Sequence, residues 1–257
     1  MPELNEPFPH AERRTLKSPP IELIIGQVRY PTVAKLFSDE GYIAFAERIS
    51  ERFPDAEARQ EVQVEVSPDG TRERARTSVW KFEDLDRRWT VTLTPVFLAL
   101  ETRQYESFTD FRDTFVQLWS DLSETHGIRH RTRLGLRYVD RVSAEKQKNL
   151  PANWLDMIAS EAIPLRRRLP KATSVSKIEH RFRLQDGLWL TYRATCQRLQ
   201  GENGAIDEFT LDLDAYDESR EEMLREASER LDVLKELSHN AFWWTLGRLL
   251  NEIDPPC

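Results

Sequence analysis

The sequence predicts an α+β protein made of duplicated βαβββα units, whose strands join in a curved, mostly antiparallel sheet with helices on one face. Three observations carry this expectation. Val62, Val64 and Val66 alternate with Glu61, Gln63 and Glu65, the period of two that a strand with one buried face requires. Phe108, Phe111, Phe115, Leu118 and Leu122 recur at three- and four-residue spacing, the stripe of an amphipathic helix. Finally, the order strand, helix, three strands, helix occurs twice, with Gln27-Val28-Arg29-Tyr30 and Gly135-Leu136-Arg137-Tyr138 at the same place in each half.

Composition sets the outer bounds. The 257 residues suit one large domain or two halves of about 120 residues each. Hydrophobic residues make up 39%, among them seven Trp and twelve Phe, enough to bury a sizeable core. A net charge of −7 argues against general coating of nucleic acid, although it leaves room for a local basic patch. Cys196 lies within a predicted strand and Cys257 is the last residue, so the two form neither a disulfide framework nor a zinc spacing. A reduced, cytoplasmic setting follows. The first residues hold no apolar signal core, and no run of about 18 apolar residues occurs, so neither secretion nor membrane insertion is expected.

In chain order, residues 1–18 are polar and proline-bearing and read as a flexible arm. The first half, 19–127, begins with the strand Ile21–Tyr30. A helix over Glu40–Phe53 follows, with Ile43, Ala46, Ile49 and Phe53 on one side and Pro54 ending it. Strands then surround the Pro68-Asp69-Gly70 turn, the second running over Arg74–Phe82. The third starts at Trp89, alternates with threonines and continues to Leu100. The helix Ser107–His126 closes this half, with Gly127 as its C-terminal cap.

The second half, 128–257, opens on Ile128–Val142, in which period two puts Arg129, Arg131, Arg133, Arg137 and Arg141 on one face. Its other face carries Leu134, Leu136, Tyr138, Asp140 and Val142. A helix near Asn153–Ile163 turns Trp154, Leu155 and Ile158 inward, and Arg166-Arg167-Arg168 reads as a solvated loop. Strands over Ser174–Gln185, Leu188–Leu199 and Ile206–Ala215 are separated by Asp186-Gly187 and Asn203-Gly204, dipeptides that tolerate the positive φ of tight hairpins. The chain ends in a long helix, Ser219 to Ile253, with capping-box spacing between Ser219 and Glu222 and a seam from Leu224 through Leu231, Leu234 and Phe242 to Ile253.

Several short motifs resemble one family. Ser18-Pro19-Pro20-Ile21-Glu22 leading into Gln27–Tyr30, Trp80-Lys81-Phe82, Leu100-Glu101, Gly135-Leu136-Arg137-Tyr138-Val139-Asp140-Arg141, Leu211-Asp212-Leu213-Asp214 and Leu237-Ser238-His239 look like an uncharacterised, sporadically distributed family of bacterial proteins of about this length. That family more often has Asn in the place of Asp140. The resemblance implies a stand-alone cytoplasmic protein and no particular reaction. Its patchy distribution is what mobile, antiphage-defence or toxin–antitoxin cargo tends to show.

The arginine face is the strongest candidate for function. Arg133, Arg137 and Arg141 share parity with the polar sides of strands carrying Arg181, Arg183 and Arg193, and guanidinium forks suit phosphates and carboxylates. The face is either an anion or nucleic-acid surface, with Trp189 as a stacking platform, or a set of ion pairs with Asp212 and Asp214 across strands. Those two carboxylates are also weak candidates for holding Mg²⁺. The five histidines do not cluster, and neither a nucleophile elbow nor a glycine-rich phosphate loop is present. Phe242-Trp243-Trp244 cannot all face one side of a helix, because neighbours are rotated by about 100°. Trp243 and Trp244 therefore mark a second contact, between the halves or with another chain.

The expectation is a non-enzymatic binding or interaction protein without cofactor, forming a homodimer or receiving a protein partner. The alternative is a nucleotide- or RNA-binding protein, with metal-dependent phosphate processing at the arginine face as its furthest extension.

Overall fold

The computed structural model describes residues 7–12, 14–67, 70–147, 149–169, 174–201, 204–219 and 225–255. Among them are nine strands and four helices of an α+β protein built on an open antiparallel sheet. The expected turns at Pro68-Asp69 and Asn203, the residues Glu222 and Leu224 of the last helix, and Cys257 lie outside the described residues, as do the side chains of Glu61 and Glu65. None of the described helices is long and apolar enough to cross a membrane.

The chain divides into two compact units. One comprises Ile25–Gly135 and Glu218–Leu231. Its elements are strand β1 (Ile21–Arg29), which begins before the boundary, then helix α1 (Asp39–Ile49), strands β2 (Asp55–Ser67), β3 (Gly70–Glu83), β4 (Trp89–Leu93) and β5 (Phe97–Thr102), and helix α2 (Phe108–His126). Hydrogen-bonded neighbours run β2-β3-β4-β5-β1. The sequence led us to expect one strand from Trp89 to Leu100, but the chain turns at Thr94–Val96, where the Thr94 hydroxyl accepts from the backbone N–H of Val96 and Phe97 at 3.3 and 3.1 Å. A meander of four strands therefore replaces the expected three.

Helix α2 forms where its apolar stripe and its caps agree. The Ser107 hydroxyl accepts from the Asp110 N–H at 3.1 Å, and Gly127 closes the helix at φ 66°, a backbone conformation that costs glycine little. Phe111, Phe115, Leu118 and Leu122 are buried. They lie directly on β1, because a Cβ placed on Gly26 would stand 2.9 Å from Phe115 and 3.1 Å from Phe111. Arg48 fastens α1 to α2 through Asp121 at 2.7 Å and through Glu124.

The other unit comprises Met1–Ile24, Leu136–Asp217 and Asp232–Cys257. It holds most of strand β6 (Arg133–Ser143), the short helix α3 (Pro164–Arg168), strands β7 (Val175–Arg183), β8 (Leu188–Gly201) and β9 (Gly204–Asp217), and most of helix α4 (Arg225–Ile253). Here the neighbours run β6-β9-β8-β7. The expected helix near Asn153–Ile163 is absent as such. Two 3-10 turns, Trp154–Met157 and Ser160–Ala162, precede α3 and still bury Trp154, Ile158 and Ile163. Pro164 disfavours the α conformation in the residue before it, and Ile163 stands at φ −138° and ψ 50°, so no helix runs on into α3.

The core of this unit lies between one sheet face and α4. Leu190, Tyr192, Ala194 and Cys196 of β8, Phe209, Leu211, Leu213 and Ala215 of β9, and Leu234, Ala241, Leu246 and Leu249 of α4 are all buried. The Tyr192 hydroxyl lies 3.0 Å from that of Thr245, and burial pushes its pKa up to about 12. Phe242, assigned by its spacing to the seam, is only half-buried, and Thr245 and Leu246 take the inward positions.

Within the segment expected to be a flexible arm, Phe8, Ala11 and Arg14 make contacts with later parts of this unit. Phe8, 5% exposed, sits among Phe182, Tyr192 and Trp244 with ring centroids 5.6, 5.7 and 5.1 Å away. The Ala11 N–H donates to the Asn240 side chain at 3.0 Å, and the Arg14 guanidinium lies 5.7 Å from the Trp243 ring centre. A buried phenylalanine offsets the ordering cost of a short polar segment.

Candidate functional site

On β7, β8 and β9 the residues opposite the core make one polar face. Register brings Glu179, Arg193 and Asp212 side by side in a single row. Arg137 of β6 completes it with two parallel hydrogen bonds to Asp212, 2.7 and 2.8 Å long. Arg193 donates to Glu179 at 2.7 Å and to Asp212 at 3.5 Å. The row thus alternates acid, base, acid, base, and each charge is flanked by its opposite.

A second row repeats the device. Arg141 donates to Glu208 at 2.5 Å, and Glu208, 5% exposed, also accepts from Gln197 at 2.9 Å. On the opposite face of the sheet, the side that carries Cys196 and Phe209, Asp207 accepts from Arg198 at 3.0 and 3.1 Å and from Arg166 at 2.7 and 2.8 Å. Arg166 is 3% exposed, so the tri-arginine stretch is a helix turn with one buried ion pair and not a solvated loop. The bond from Asp212 raises the Arg137 pKa further. Burial disfavours the charge on Arg193, yet Glu179 and Asp212 together raise its pKa. Burial likewise works against the Asp207 charge, and Arg198 and Arg166 outweigh it, holding the pKa below the ordinary carboxylate value.

The sequence-derived candidates therefore separate. Arg137, Arg141 and Arg193 are neutralised by acids. Arg133 belongs to the other unit, where it donates to Gln27 at 3.3 Å. Arg129 and Arg131 precede β6, and Arg131 is buried at 2% exposure, so the run of alternating arginines is shorter than period two suggested. Asp212 is committed to two guanidiniums, and among the described residues no group of three His, Cys, Asp or Glu is placed to hold a metal. Asp214 lies opposite Thr191.

Arg181 and Arg183 remain. Both are exposed on β7, and neither side chain makes a hydrogen bond or ion pair with another described residue. Their guanidiniums sit 4.4 and 5.5 Å from the centre of the Trp189 ring. Trp189 is itself stacked on Tyr216, centroids 6.2 Å apart and planes 7° from parallel, and Arg181 is 5.5 Å from the Tyr216 ring. Two cations are held in place by aromatic faces while their N–H donors stay open. Trp243 and Trp244 have partners within the chain, Arg14 and Phe8.

The sequence reading missed Glu179 and Glu208 as partners, although parity with Arg181 and Asp212 placed both on this face. It also missed how Asp140 sits. That residue is 2% exposed on the apolar side of β6, its Oδ1 makes no hydrogen bond, and burial pushes its pKa up to about 8.

No family model and no curated protein matches the sequence. Among solved structures the chain is similar to DynU16, a protein of the dynemicin biosynthetic locus, at 12% identity and a TM-score of 0.19, covering 90% of this chain and 98% of that one. It is also similar to the di-domain ARO/CYC StfQ of the steffimycin biosynthetic pathway, at 9% identity and a TM-score of 0.18, covering 90% and 96%. Likeness at this level carries no argument about activity.

Proposed function

We propose that the chain is a non-enzymatic binding protein whose sheet face receives an anionic partner at Arg181 and Arg183. One observation carries the reading: the other arginines of this face are closed by acids, whereas these two keep open donors above Trp189. A guanidinium fork fixed on a ring loses little freedom when it captures a carboxylate or phosphate pair. The partner that fits best is an acidic segment of another protein, because the neighbouring arginines are each matched by an acid and leave two open cations, which suits a short, local charge match better than a long polyanion. Homodimerisation through Trp243 and Trp244 has less support, since Phe8 and Arg14 of the same chain already contact those rings. A defence or toxin–antitoxin setting rests on the sporadic family resemblance alone.

The second reading is a nucleotide or single-stranded RNA ligand, favoured by the parallel Trp189–Tyr216 pair, on which a base could stack. Metal-dependent phosphate processing is the least supported extension, because a cation at Asp212 would have to displace Arg137 and Arg193. A labelled acidic peptide and a labelled RNA oligomer, each titrated in fluorescence anisotropy, separate the two readings. Arg181→Ala/Arg183→Ala should abolish whichever binding occurs, and only the RNA should lose affinity steeply with salt.

The topology also supports descent of the two halves from one unit. In each, the first strand pairs with the last strand of the following meander, β1 with β5 and β6 with β9. The duplication, the curvature of the sheet and the placement of helices on one face belong to this proposal.

A further inference from the structure

In the unit Ile25–Gly135 the segments on either side of a pocket of about 390 Å³ are each tied down. The first, Pro31–Lys35, is held by the Val33 N–H donating to the Pro95 carbonyl at 2.9 Å and by the buried Tyr30 hydroxyl donating to the Thr94 backbone carbonyl at 2.8 Å. The second, His126–His130, turns away from α2 at Gly127. The Ile128 N–H donates back to Ser123 at 3.0 Å, and the Thr132 N–H to Arg29 at 2.8 Å. The volume falls within the range typical of small-ligand sites, about 300–1,000 Å³.

The chemistry of the lining is one-sided. Lys35, Arg129, His126 and His130 all border the pocket, and among the described residues no Asp or Glu does. Neither Lys35, Arg129 nor His130 makes a side-chain hydrogen bond or ion pair with a described residue. His126 is partly buried and both its ring nitrogens lack a hydrogen bond of acceptable geometry. Burial and the nearby Lys35 ammonium lower its pKa, against a weaker opposing pull from the Gly41 backbone. Cations brought together without a counter-charge cost stability unless an anion joins them. Pro31, Val33 and Ile128 add apolar surface on which an organic body could rest.

We propose that this pocket binds the phosphate group of a small molecule, with Lys35 and Arg129 as its principal cations and His130 as a further donor. The site is separate in sequence from Arg181 and Arg183 and does not depend on their role.

Isothermal titration of the whole chain with phenyl phosphate and with inorganic phosphate, at ionic strength matched with chloride, tests it. The expected result is saturable binding that Lys35→Ala/Arg129→Ala weakens by about tenfold or more, since each charge-assisted hydrogen bond contributes enough for such a change. Arg181→Ala/Arg183→Ala should leave it unaltered. Tighter binding of the ester would assign an organic phosphate, and equal binding free phosphate; both support the site. Lys35 and Arg129 are exposed, so the variant should keep the wild-type circular dichroism spectrum. Absence of binding, an unchanged affinity in Lys35→Ala/Arg129→Ala, or loss only in Arg181→Ala/Arg183→Ala would overturn the proposal, and the last would place phosphate on the sheet face instead.

Discussion

Asp140 shows how one carboxyl can set a pH dependence. In the unfolded chain it ionises near its ordinary value of about 3.9, whereas in the fold burial holds it protonated up to about 8. The folded state therefore binds the proton more tightly, so its contribution is full below about pH 4 and drains away as pH rises towards about 8. Asp140→Asn keeps the shape and removes the charge. Urea midpoints of the variant should exceed those of the wild type by a margin that widens from pH 5 to pH 8, and a constant margin would contradict this account. Asp212 illustrates the opposite case, an acid that stabilises by standing between two bases. Asp212→Ala would leave Arg137 and Arg193 facing each other and should cost about 1–3 kcal/mol in chemical denaturation, with Arg137→Ala/Asp212→Ala costing less than the sum of the single changes.

At the level of elements, the N-terminal segment is held mainly by one side chain. Phe8→Ala removes a ring from a well-packed aromatic group and should destabilise the fold by about 3 kcal/mol, with a red shift of tryptophan emission as Trp244 meets water. An unchanged spectrum would show that Phe8 does not cover that ring in solution. Helix α2 offers a smaller test, since Ser107→Ala removes a cap and should cost about 1 kcal/mol. These elements differ in how far the sequence disclosed them. The phenylalanine stripe of α2, its serine cap and Gly127 all agree, so the helix could be read almost to the residue. Trp154 and Ile158 are four apart, which suits a helix, yet the same spacing is met by successive 3-10 turns between Pro151 and Pro164. The break between β4 and β5 had a signal in Pro95, a residue that interrupts a central strand, but the apolar Leu93 and Phe97–Leu100 on either side of it read as one continuous run. Nothing in the residues around Phe8 announced its place, because its neighbours, Phe182, Tyr192 and Trp244, are far along the chain.

For the molecule as a whole, the arginine-bearing face of the sheet was legible and its charge balance was not. Period two put Arg137, Arg141, Arg181, Arg183 and Arg193 on polar sides of their strands, and that parity holds. Which of them would remain open depended on the register of β7, β8 and β9, a long-range property that leaves no trace in local spacing. Register matched Arg193 to Glu179 and Asp212, while Arg181 met Thr191 and Arg183 met Trp189. The central claim is that these last two, and not the whole arginine set, receive an anionic partner. Anisotropy of a labelled acidic peptide, titrated in parallel with Arg181→Ala/Arg183→Ala and with Arg137→Ala/Arg141→Ala, tests it most directly. The account expects the first variant to lose at least about tenfold in affinity and the second to stay within about twofold of wild type. Equal losses in both, or binding that survives the first, would contradict it.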